Sequence, residues 1–539
     1  MTTSNYKTDV LVIGGGLSGA ISSLQLARAG VEVTCLEQGN WTNPHDYPGD
    51  KADFELLALK QWHANPNVRN WKVDYRILDD TSDIKPLLFN GVGGSTVLFS
   101  AHWMRFLPSD FRVRSLDGVA DDWPIKYEDL APYYDANEID IGVSGIAGDP
   151  AYPDRPEYPL PPLPIQPWGE KIATAHRRLG WHWWPGSNAI LSRPYASRRP
   201  CVQRSTCRVG CNEGAKSSAD RSLWPAAIKA GATLRTGARV SRILTNGQGL
   251  ASGVLFNDQD GSTHKIEASV VILASHAIGS TRLLLKSANA QFPDGLANSS
   301  GQVGHNLMMH PLARVVGLFD EDMASWQGHW GQSIYSMEFA ETRPEHDFVR
   351  GGKWNLAPTG GPLTAATYPT DGKPVIGEAL HDRVTNWLGR SALWGVTAED
   401  LPEAHNRLLL DKDEFDEDGD GLPRLIYKTS ENSRRMLAFM TDRVKESFAA
   451  AGVTKTLQQS FAPDAGWHPL GTCRMGKSPD SSVVNEWNQC HDIANLYIVD
   501  GSTFVTSSSV NPAATIAALA RRAVDRIIRE RGAPTRTDS

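Results

Sequence analysis

The 539-residue sequence lacks the marks of several classes of protein. It has no apolar run of about 18 residues, which excludes a transmembrane helix. Its net charge of -7 gives no basic surplus that would attract nucleic acid. Its six cysteines are too few, in a chain of this length, to form a disulfide framework. The remaining expectation is an ordinary globular protein, long enough for about three or four domain-sized units.

The N-terminal residues do not predict a secretory leader either. A strand-like run starts within the first ten residues, which leaves no space for a charged region, an apolar region and a cleavage site. We therefore expect a cytoplasmic protein without a membrane span of its own. Export together with a partner subunit that carries the signal is the alternative.

The chain opens with a pattern typical of dinucleotide-binding folds. Val10–Ile13 is a continuous apolar run, which predicts a strand buried on both faces of a parallel sheet. Gly14, Gly16 and Gly19 follow with the spacing GxGxxG, which allows a tight turn, close approach of a pyrophosphate and close helix packing. The helix predicted over residues 17–29 would direct its first N–H groups at the phosphates.

A second strand, predicted over residues 31–36, carries Glu37 at its tip. A carboxylate at this position accepts hydrogen bonds from a ribose diol and repels a 2′-phosphate, so NADP is disfavoured. This pattern alone leaves both NAD and FAD open.

Three later segments add to the first unit. Residues 90–96, NGVGGST, form a second glycine-rich turn, which either lets the backbone approach a ligand or simply turns the chain. Residues 269–274 predict another buried strand, followed by a helix near residues 279–287. Residues 215–231 favour a helix.

The segment 311–455 differs in character. Its alternating apolar residues predict an antiparallel sheet with helices on one face, which suits a substrate domain. Asp416, Asp418 and Asp420 imitate the start of a calcium loop, but the twelfth position is Tyr427, which cannot supply the bidentate ligand. We therefore predict a solvated hairpin turn at this point.

Several widely spaced motifs together resemble the glucose–methanol–choline (GMC) family of FAD oxidoreductases along essentially the whole chain. They are VIGGGLSGAISSLQLARAG, GVGGST, DWPIKYEDLAPYYD, CNEGAKSSAD, VVILASHAIGSTRLLLKS, HNLMMHP, WHPLGTCRMG and NLYIVDGSTFVTSSSVNPAATIAALA. The resemblance identifies the nucleotide as FAD. It implies an α/β fold in which a Rossmann-like FAD-binding domain is interleaved with a substrate domain built on an antiparallel sheet with helices, as in p-hydroxybenzoate hydroxylase.

The expected domains alternate along the chain. The FAD-binding domain is assigned to residues 1–45, 86–110, 200–310 and 456–539, and the substrate domain with its connectors to residues 46–85, 111–199 and 311–455.

The resemblance also implies which residues hold FAD. The ADP part is assigned to Gly14, Gly16, Gly19 and Glu37, and the loop past the pyrophosphate to Gly91, Gly93, Gly94 and Ser95. The remaining contacts are assigned to Val240 and Ala274 beside the adenine, and to Asp500 and Gly501 near the ribityl chain and the pyrophosphate.

His468 in WHPLGT and Asn511 in NPAATI match the two catalytic positions of the family. A neutral imidazole can accept the hydroxyl proton of an alcohol. An amide can donate a hydrogen bond to the same oxygen and stabilise developing alkoxide charge. His310 and His102 are interpreted as structural or cleft residues.

Two positions depart from the family pattern. Leu98 stands where some members attach FAD covalently through a histidine, and His102 lies four residues later, so we predict non-covalent FAD. His305 stands where the family commonly has arginine, so a charge near the cofactor is lost or depends on pH.

Cys201, Cys207 and Cys211 are close enough in sequence to surround one centre. Their spacing is similar to that in catalytic subunits of FAD-dependent glucose dehydrogenases, where three cysteines hold a three-iron cluster that passes electrons to a cytochrome. Reduced thiols in a loop are the alternative, and the sequence leaves both open.

The resemblance implies FAD-dependent oxidation of a CH–OH group of a sugar, glycoside or sugar acid. The electron acceptor would be oxygen, a quinone or a cytochrome subunit. One alternative is the catalytic subunit of a membrane-associated dehydrogenase with a 3Fe–4S cluster. The other is a lyase in which FAD is structural and His468 acts as a base.

Overall fold

The structure is a computed structural model that describes residues 5–368 and 375–532. The predicted domain segments also include residues 1–4, 369–374 and 533–539, which lie outside the described residues. The strands are β1 Asn5–Ile13, β2 Val33–Leu36, β3 Trp184–Pro185, β4 Thr233–Arg235, β5 Arg239–Thr245, β6 Ala251–Asn257, β7 Thr263–Leu273, β8 Leu312–Leu318, β9 Ile334–Ser336, β10 Gly352–Ala357, β11 Ser391–Ala398, β12 Arg407–Phe415, β13 Gly421–Ile426, β14 Lys455–Gln459 and β15 Leu496–Ile498. The helices are α1 Leu17–Arg28, α2 Phe54–Ala58, α3 Pro66–Arg69, α4 Val113–Asp117, α5 Tyr127–Ile141, α6 Pro167–Leu179, α7 Ala219–Ser222, α8 Trp224–Lys229, α9 His276–Lys286, α10 Pro362–Thr367, α11 Glu378–Trp387, α12 Glu431–Ala450 and α13 Ala513–Glu530.

The first sheet is the predicted nucleotide-binding sheet. Its strands run in the order β4-β2-β1-β7-β6-β5, and the neighbours from β4 to β7 are parallel. The long strand β7 pairs with antiparallel β6 along its first half and with parallel β15 along its last three residues. Strand β15 thus joins the same sheet as the N-terminal strand, and helix α13 packs on α1 beside it. The two ends of the chain therefore belong to one domain.

The second sheet is antiparallel, with strand order β14-β8-β11-β10-β9-β3. Helices α6 and α12 cover one face of this sheet. The predicted α/β fold, with an antiparallel sheet beside the nucleotide-binding sheet, is confirmed. Residues two apart along a strand share a face. The other face therefore presents Lys353 and Asn355 of β10 beside Thr397 and Gly395 of β11.

Strand β14 lies across one of the predicted domain limits. Strand β14 starts at Lys455, so nearly all of it falls inside the segment 456–539 assigned to the FAD-binding domain. It pairs instead with β8 of the antiparallel sheet, from Lys455 opposite Leu318 to Gln459 opposite Arg314. The local sequence does not indicate which sheet an edge strand will join.

The helix predicted over residues 215–231 begins late and is interrupted. Residues 215–218 precede α7, and Pro225 starts the second short helix, α8, immediately after α7. The helix starts late because the backbone here pairs with another segment: Leu191 N–H donates to the Ala215 carbonyl at 2.9 Å, and Ser217 N–H donates to the Ala189 carbonyl at 2.8 Å.

The turn at residues 416–420 joins β12 to β13, so the predicted hairpin turn is confirmed. The prediction that it is solvated is wrong for two of its carboxylates, which are largely buried in ion pairs, Asp416 with Arg282 and Asp420 with Arg242 and Lys286. The turn thus ties the hairpin to helix α9. Within the described residues, no helix combines the length and hydropathy needed to cross a membrane.

Candidate active site

A cavity of about 710 Å³ is lined by residues of both sheets. Among the sequence-predicted site residues, those that line it are Gly14, Gly16, Glu37, Gly94, Ser95, Val240, Ala274, His468, Asp500, Gly501 and Asn511. The cavity is not lined by Gly19, Gly91 or Gly93. Gly19 packs directly against Gly14, since a Cβ on it would lie 1.9 Å from the Gly14 carbonyl oxygen. The fold therefore brings residues from both ends of the chain to one cavity.

The glycines of the first two loops form a cradle that side chains would fill. Gly14 has a φ of +107°, and a Cβ there would lie 2.5 Å from the carbonyl oxygen of Ala274. A Cβ on Gly94 would lie 2.8 Å from the Cα of Gly16, so the two loops touch through their backbones. Such close backbone approach is what a bound pyrophosphate requires.

Two buried carboxylates fix the loops at this end of the cavity. Glu37 accepts hydrogen bonds from the backbone N–H of Gly15 at 2.7 Å and of Gly39 at 2.8 Å. Asp500 accepts one from Ser502 N–H at 3.0 Å. Burial raises the pKa of both acids. A carboxylate has about four lone-pair sites, so Glu37 keeps acceptor capacity for a ribose diol. The cradle and this carboxylate fit FAD.

His468 is held by a second histidine. Nε2 of His310 lies 2.8 Å from the Ser508 carbonyl oxygen and 3.1 Å from that of Ser507. Because carbonyls only accept, this nitrogen must donate, which leaves Nδ1 of neutral His310 as an acceptor. Nδ1 of His468 lies 2.8 Å from it and must donate. The lone pair of neutral His468 is therefore on Nε2.

Both histidines are neutral over the ordinary pH range. Burial lowers the pKa of His310 to about 4. Burial, followed by the neighbouring His310 and Lys353, lowers the pKa of His468 well below its usual value. The arrangement thus supplies a neutral imidazole whose acceptor nitrogen is fixed.

Asn511 has one amide orientation that satisfies all its neighbours. Its Oδ1 lies 2.6 Å from Nζ of Lys353, which only donates in its charged form. Its Nδ2 therefore faces Nε2 of His468, at 3.3 Å, and donates to it. Both residues line the cavity, so a hydroxyl oxygen that displaced this hydrogen bond would meet an acceptor at Nε2 and a donor at Nδ2.

Sequence reasoning missed Lys353. This lysine is fully buried on β10 and also lies 3.3 Å from Oε1 of Gln332 and 3.4 Å from Nδ1 of His102. Burial lowers its pKa to about 7. A single lysine inside a strand pattern carries no motif, so only its burial marks it.

His310 and His102 each contact one residue of the predicted catalytic pair. His310 sets the tautomer of His468, and Nδ1 of His102 lies 3.1 Å from Oδ1 of Asn511. Both line the cavity, as the cleft interpretation allowed. His305, in contrast, does not line it, and its Nδ1 lies 3.3 Å from the Ala404 carbonyl. Leu98 is fully buried outside the cavity.

The three predicted metal-binding cysteines are half-buried thiols on one loop. Burial and the neighbouring Cys207 raise the pKa of Cys201 to about 12. Among the described residues, the one group of three ligands within 4.8 Å of one another is Asp416, Asp418 and Asp420, so the thiols do not form a preformed site for a single ion. The loop adjoins the cavity wall through Lys216, which contacts the carbonyls of Cys207 and Phe99.

Two family models, both described as GMC oxidoreductase, match this chain over residues 8–312 and 402–520. Three curated relatives match nearly its whole length. The 2-methyl-1,2-propanediol dehydrogenase of Mycolicibacterium austroafricanum is 40% identical and covers 98% of this chain and 96% of its own. The fructose dehydrogenase large subunit of Gluconobacter japonicus is 30% identical and covers 98% and 99%. Paromamine 6'-oxidase of Streptomyces fradiae is 30% identical and covers 95% and 90%.

Solved structures share the fold at low identity. Formate oxidase superposes with a TM-score of 0.66 at 15% identity and covers 98% of this chain and 100% of its own. Pyridoxine 4-oxidase from Mesorbium loti superposes with a TM-score of 0.65 at 18% identity and covers 96% and 99%.

Proposed function

This chain belongs to the GMC oxidoreductase family, and we propose that it oxidises a CH–OH group of a small polyol, sugar or sugar acid with His468 as the base. FAD binding follows from the family and agrees with the glycine cradle. Named relatives include a diol dehydrogenase, a fructose dehydrogenase subunit and an aminoglycoside-type oxidase. The hydroxyl substrates that these names imply support the substrate class.

One observation carries the proposal: Nε2 of His468, which holds the lone pair, and Nδ2 of Asn511 lie 3.3 Å apart, and both residues line the cavity. A substrate hydroxyl that replaced the hydrogen bond between them would give its proton to Nε2 and accept a hydrogen bond from Nδ2. A base and a donor directed at one oxygen are what an alcohol needs to become a hydride donor.

The chain's own groups account for proton transfer and orientation. His310 accepts a hydrogen bond from Nδ1–H of His468, so the imidazolium formed when Nε2 takes the substrate proton keeps its hydrogen-bond partner. Lys353 holds Oδ1 of Asn511 away from the substrate, so the amide presents its donor rather than its acceptor. When bound, FAD supplies the two-electron acceptor for the hydride.

Anaerobic flavin spectroscopy tests this function. The holoprotein is mixed with a panel of diols, polyols, sugars and sugar acids, and bleaching of the flavin band is followed by stopped flow. Bleaching by one class supports the proposal. A flavin that stays oxidised with every member, while one of them is consumed without oxidation, would establish the lyase alternative. Return of colour with oxygen, or only with a quinone or dye, identifies the acceptor.

We propose separately that Cys201, Cys207 and Cys211 hold an iron–sulfur cluster. The support is their common loop, the contact of that loop with the cavity wall, and the resemblance of their spacing noted above. Anaerobically purified protein should then contain about three irons per chain with matching acid-labile sulfide. Protein with bound FAD but no iron would exclude the cluster and leave three reduced thiols.

A further inference from the structure

Arg208 lies in the cavity on the face of a tryptophan. Its Cζ is 3.9 Å from the centre of the Trp330 ring, and both residues line the cavity. The side chain is exposed to solvent and lines the cavity. Surrounding protein desolvates the guanidinium and lowers its pKa to about 10, so it stays charged at neutral pH.

Arg208 has no polar partner among the residues that the structure describes. No hydrogen bond or carboxylate contact involves its guanidinium, and the ring of Trp330 is its observed partner. Five N–H donors on a planar group, fixed by stacking on an aromatic face, are therefore free to meet a ligand.

The other charges at this end of the cavity are already used. Oε1 of Glu55 accepts hydrogen bonds from the N–H groups of Gly361 and Thr364, at 3.1 and 3.0 Å. Oε2 of Glu55 accepts one from Leu363 N–H at 3.0 Å. Arg314 pairs with Asp464 at 3.2 Å. Arg208 is the cation left with unsatisfied donors at this end of the described cavity.

We infer that Arg208 binds a carboxylate of the substrate, so that the substrates are hydroxy acids whose hydroxyl group reaches His468 and Asn511. This inference rests on the proposed function and names the substrate class. A carboxylate matches the planar guanidinium edge with two parallel hydrogen bonds. Glu55 and Asp464 lie near Arg208, so a monoanion meets less repulsion at this end of the cavity than a phosphate dianion would.

Matched acid and alcohol pairs test the inference in the holoprotein. Gluconate is compared with glucitol, and glycerate with glycerol, in anaerobic bleaching of wild type, Arg208→Met and Arg208→Lys. Wild type should prefer each acid. Arg208→Met should weaken acid binding about 10- to 100-fold, the loss typical of a hydrogen bond to a charged group, and leave bleaching by the alcohols nearly unchanged. Arg208→Lys should retain part of the preference.

Arg204→Met is the matched control, because Arg204 lies on the same loop, pairs with Glu213 and does not line the cavity. It should behave as wild type. Binding of butanoate, which cannot be oxidised at a hydroxyl, is measured by calorimetry in the same variants. Equal affinity in wild type and Arg208→Met, or no preference for acids, would overturn the inference. Failure of every substrate to bleach the flavin would overturn the proposed function instead, while the butanoate result would still decide the role of Arg208.

Discussion

Nζ of Lys353 lies 2.6 Å from Oδ1 of Asn511, so an amino group of the antiparallel sheet orients an amide next to the C-terminal helix. The contact joins the two layers of the molecule at the point where the predicted base also lies. Several expected outcomes depend on this junction and on the FAD cradle.

His468→Ala and Asn511→Ala should keep FAD but slow its anaerobic reduction. Loss of the base should cost about 10²- to 10⁴-fold, and loss of the amide donor about 10²- to 10³-fold. Stopped-flow bleaching measures both rates, and the oxidised flavin spectrum reports retention of FAD. Unchanged reduction rates in both variants would remove the catalytic assignment.

His310→Phe should slow reduction because His468 loses the acceptor for its Nδ1 proton and with it the fixed tautomer. We expect a loss of about 10- to 100-fold, as for other groups that orient a functional histidine. His310→Gln, whose Oε1 can accept the same proton, should recover part of the rate. Equal rates in the Phe and Gln variants would show that the tautomer is set by other contacts.

Lys353→Met should change the pH dependence of stability. The pKa of Lys353 is about 7 in the folded protein and about 10.4 in an unfolded chain. Between these two values Lys353 is protonated in the unfolded chain but neutral in the folded protein, so the free energy of unfolding rises with pH. Below about pH 7 the amine is charged in both states, and the cost of burying that charge is then fully present. Melting temperatures of wild type and Lys353→Met at about pH 7 and pH 9 should show a smaller rise in the variant. A rise equal to that of wild type would contradict a depressed pKa.

Gly94→Ala should abolish or greatly weaken FAD binding, because its Cβ would lie 2.8 Å from the Cα of Gly16 at a φ of +53°. Gly30→Ala is the matched control, since Gly30 also has a positive φ of +75° but meets no atom within 4 Å. Fluorescence titration of the apoprotein with FAD gives both affinities. Tight binding by Gly94→Ala would indicate that the two glycine loops separate easily.

Acid precipitation should release all the flavin into the supernatant. The side chain of Leu98 offers no nucleophile, and it lies outside the cavity. Flavin absorbance that stays with the precipitated protein would show covalent attachment at another residue.

The sequence by itself determined the βαβ unit and its ligand class. Val10–Ile13, the glycines after it and Glu37 act within about 30 residues, and hydrophobic period and glycine conformation are local properties. The GMC motifs, read by resemblance, also indicated His468 and Asn511, which the fold brings within 3.3 Å of each other. The limits of the domains are harder to predict from the sequence. Strand β14 pairs with β8, which is more than 100 residues away in the chain, so its sheet is decided by a distant neighbour.

Only the tertiary structure decided the protonation states and the hydrogen-bond partners of the candidate site. Lys353 and Asn511 are 158 residues apart, as are His310 and His468, and no local pattern connects either pair. The tautomer of His468, the depressed pKa of Lys353 and the stacking of Arg208 on Trp330 are properties of contacts and burial. Such properties arise when the two sheets enclose a common cavity, because burial removes water from charged groups and leaves them only the partners that packing supplies.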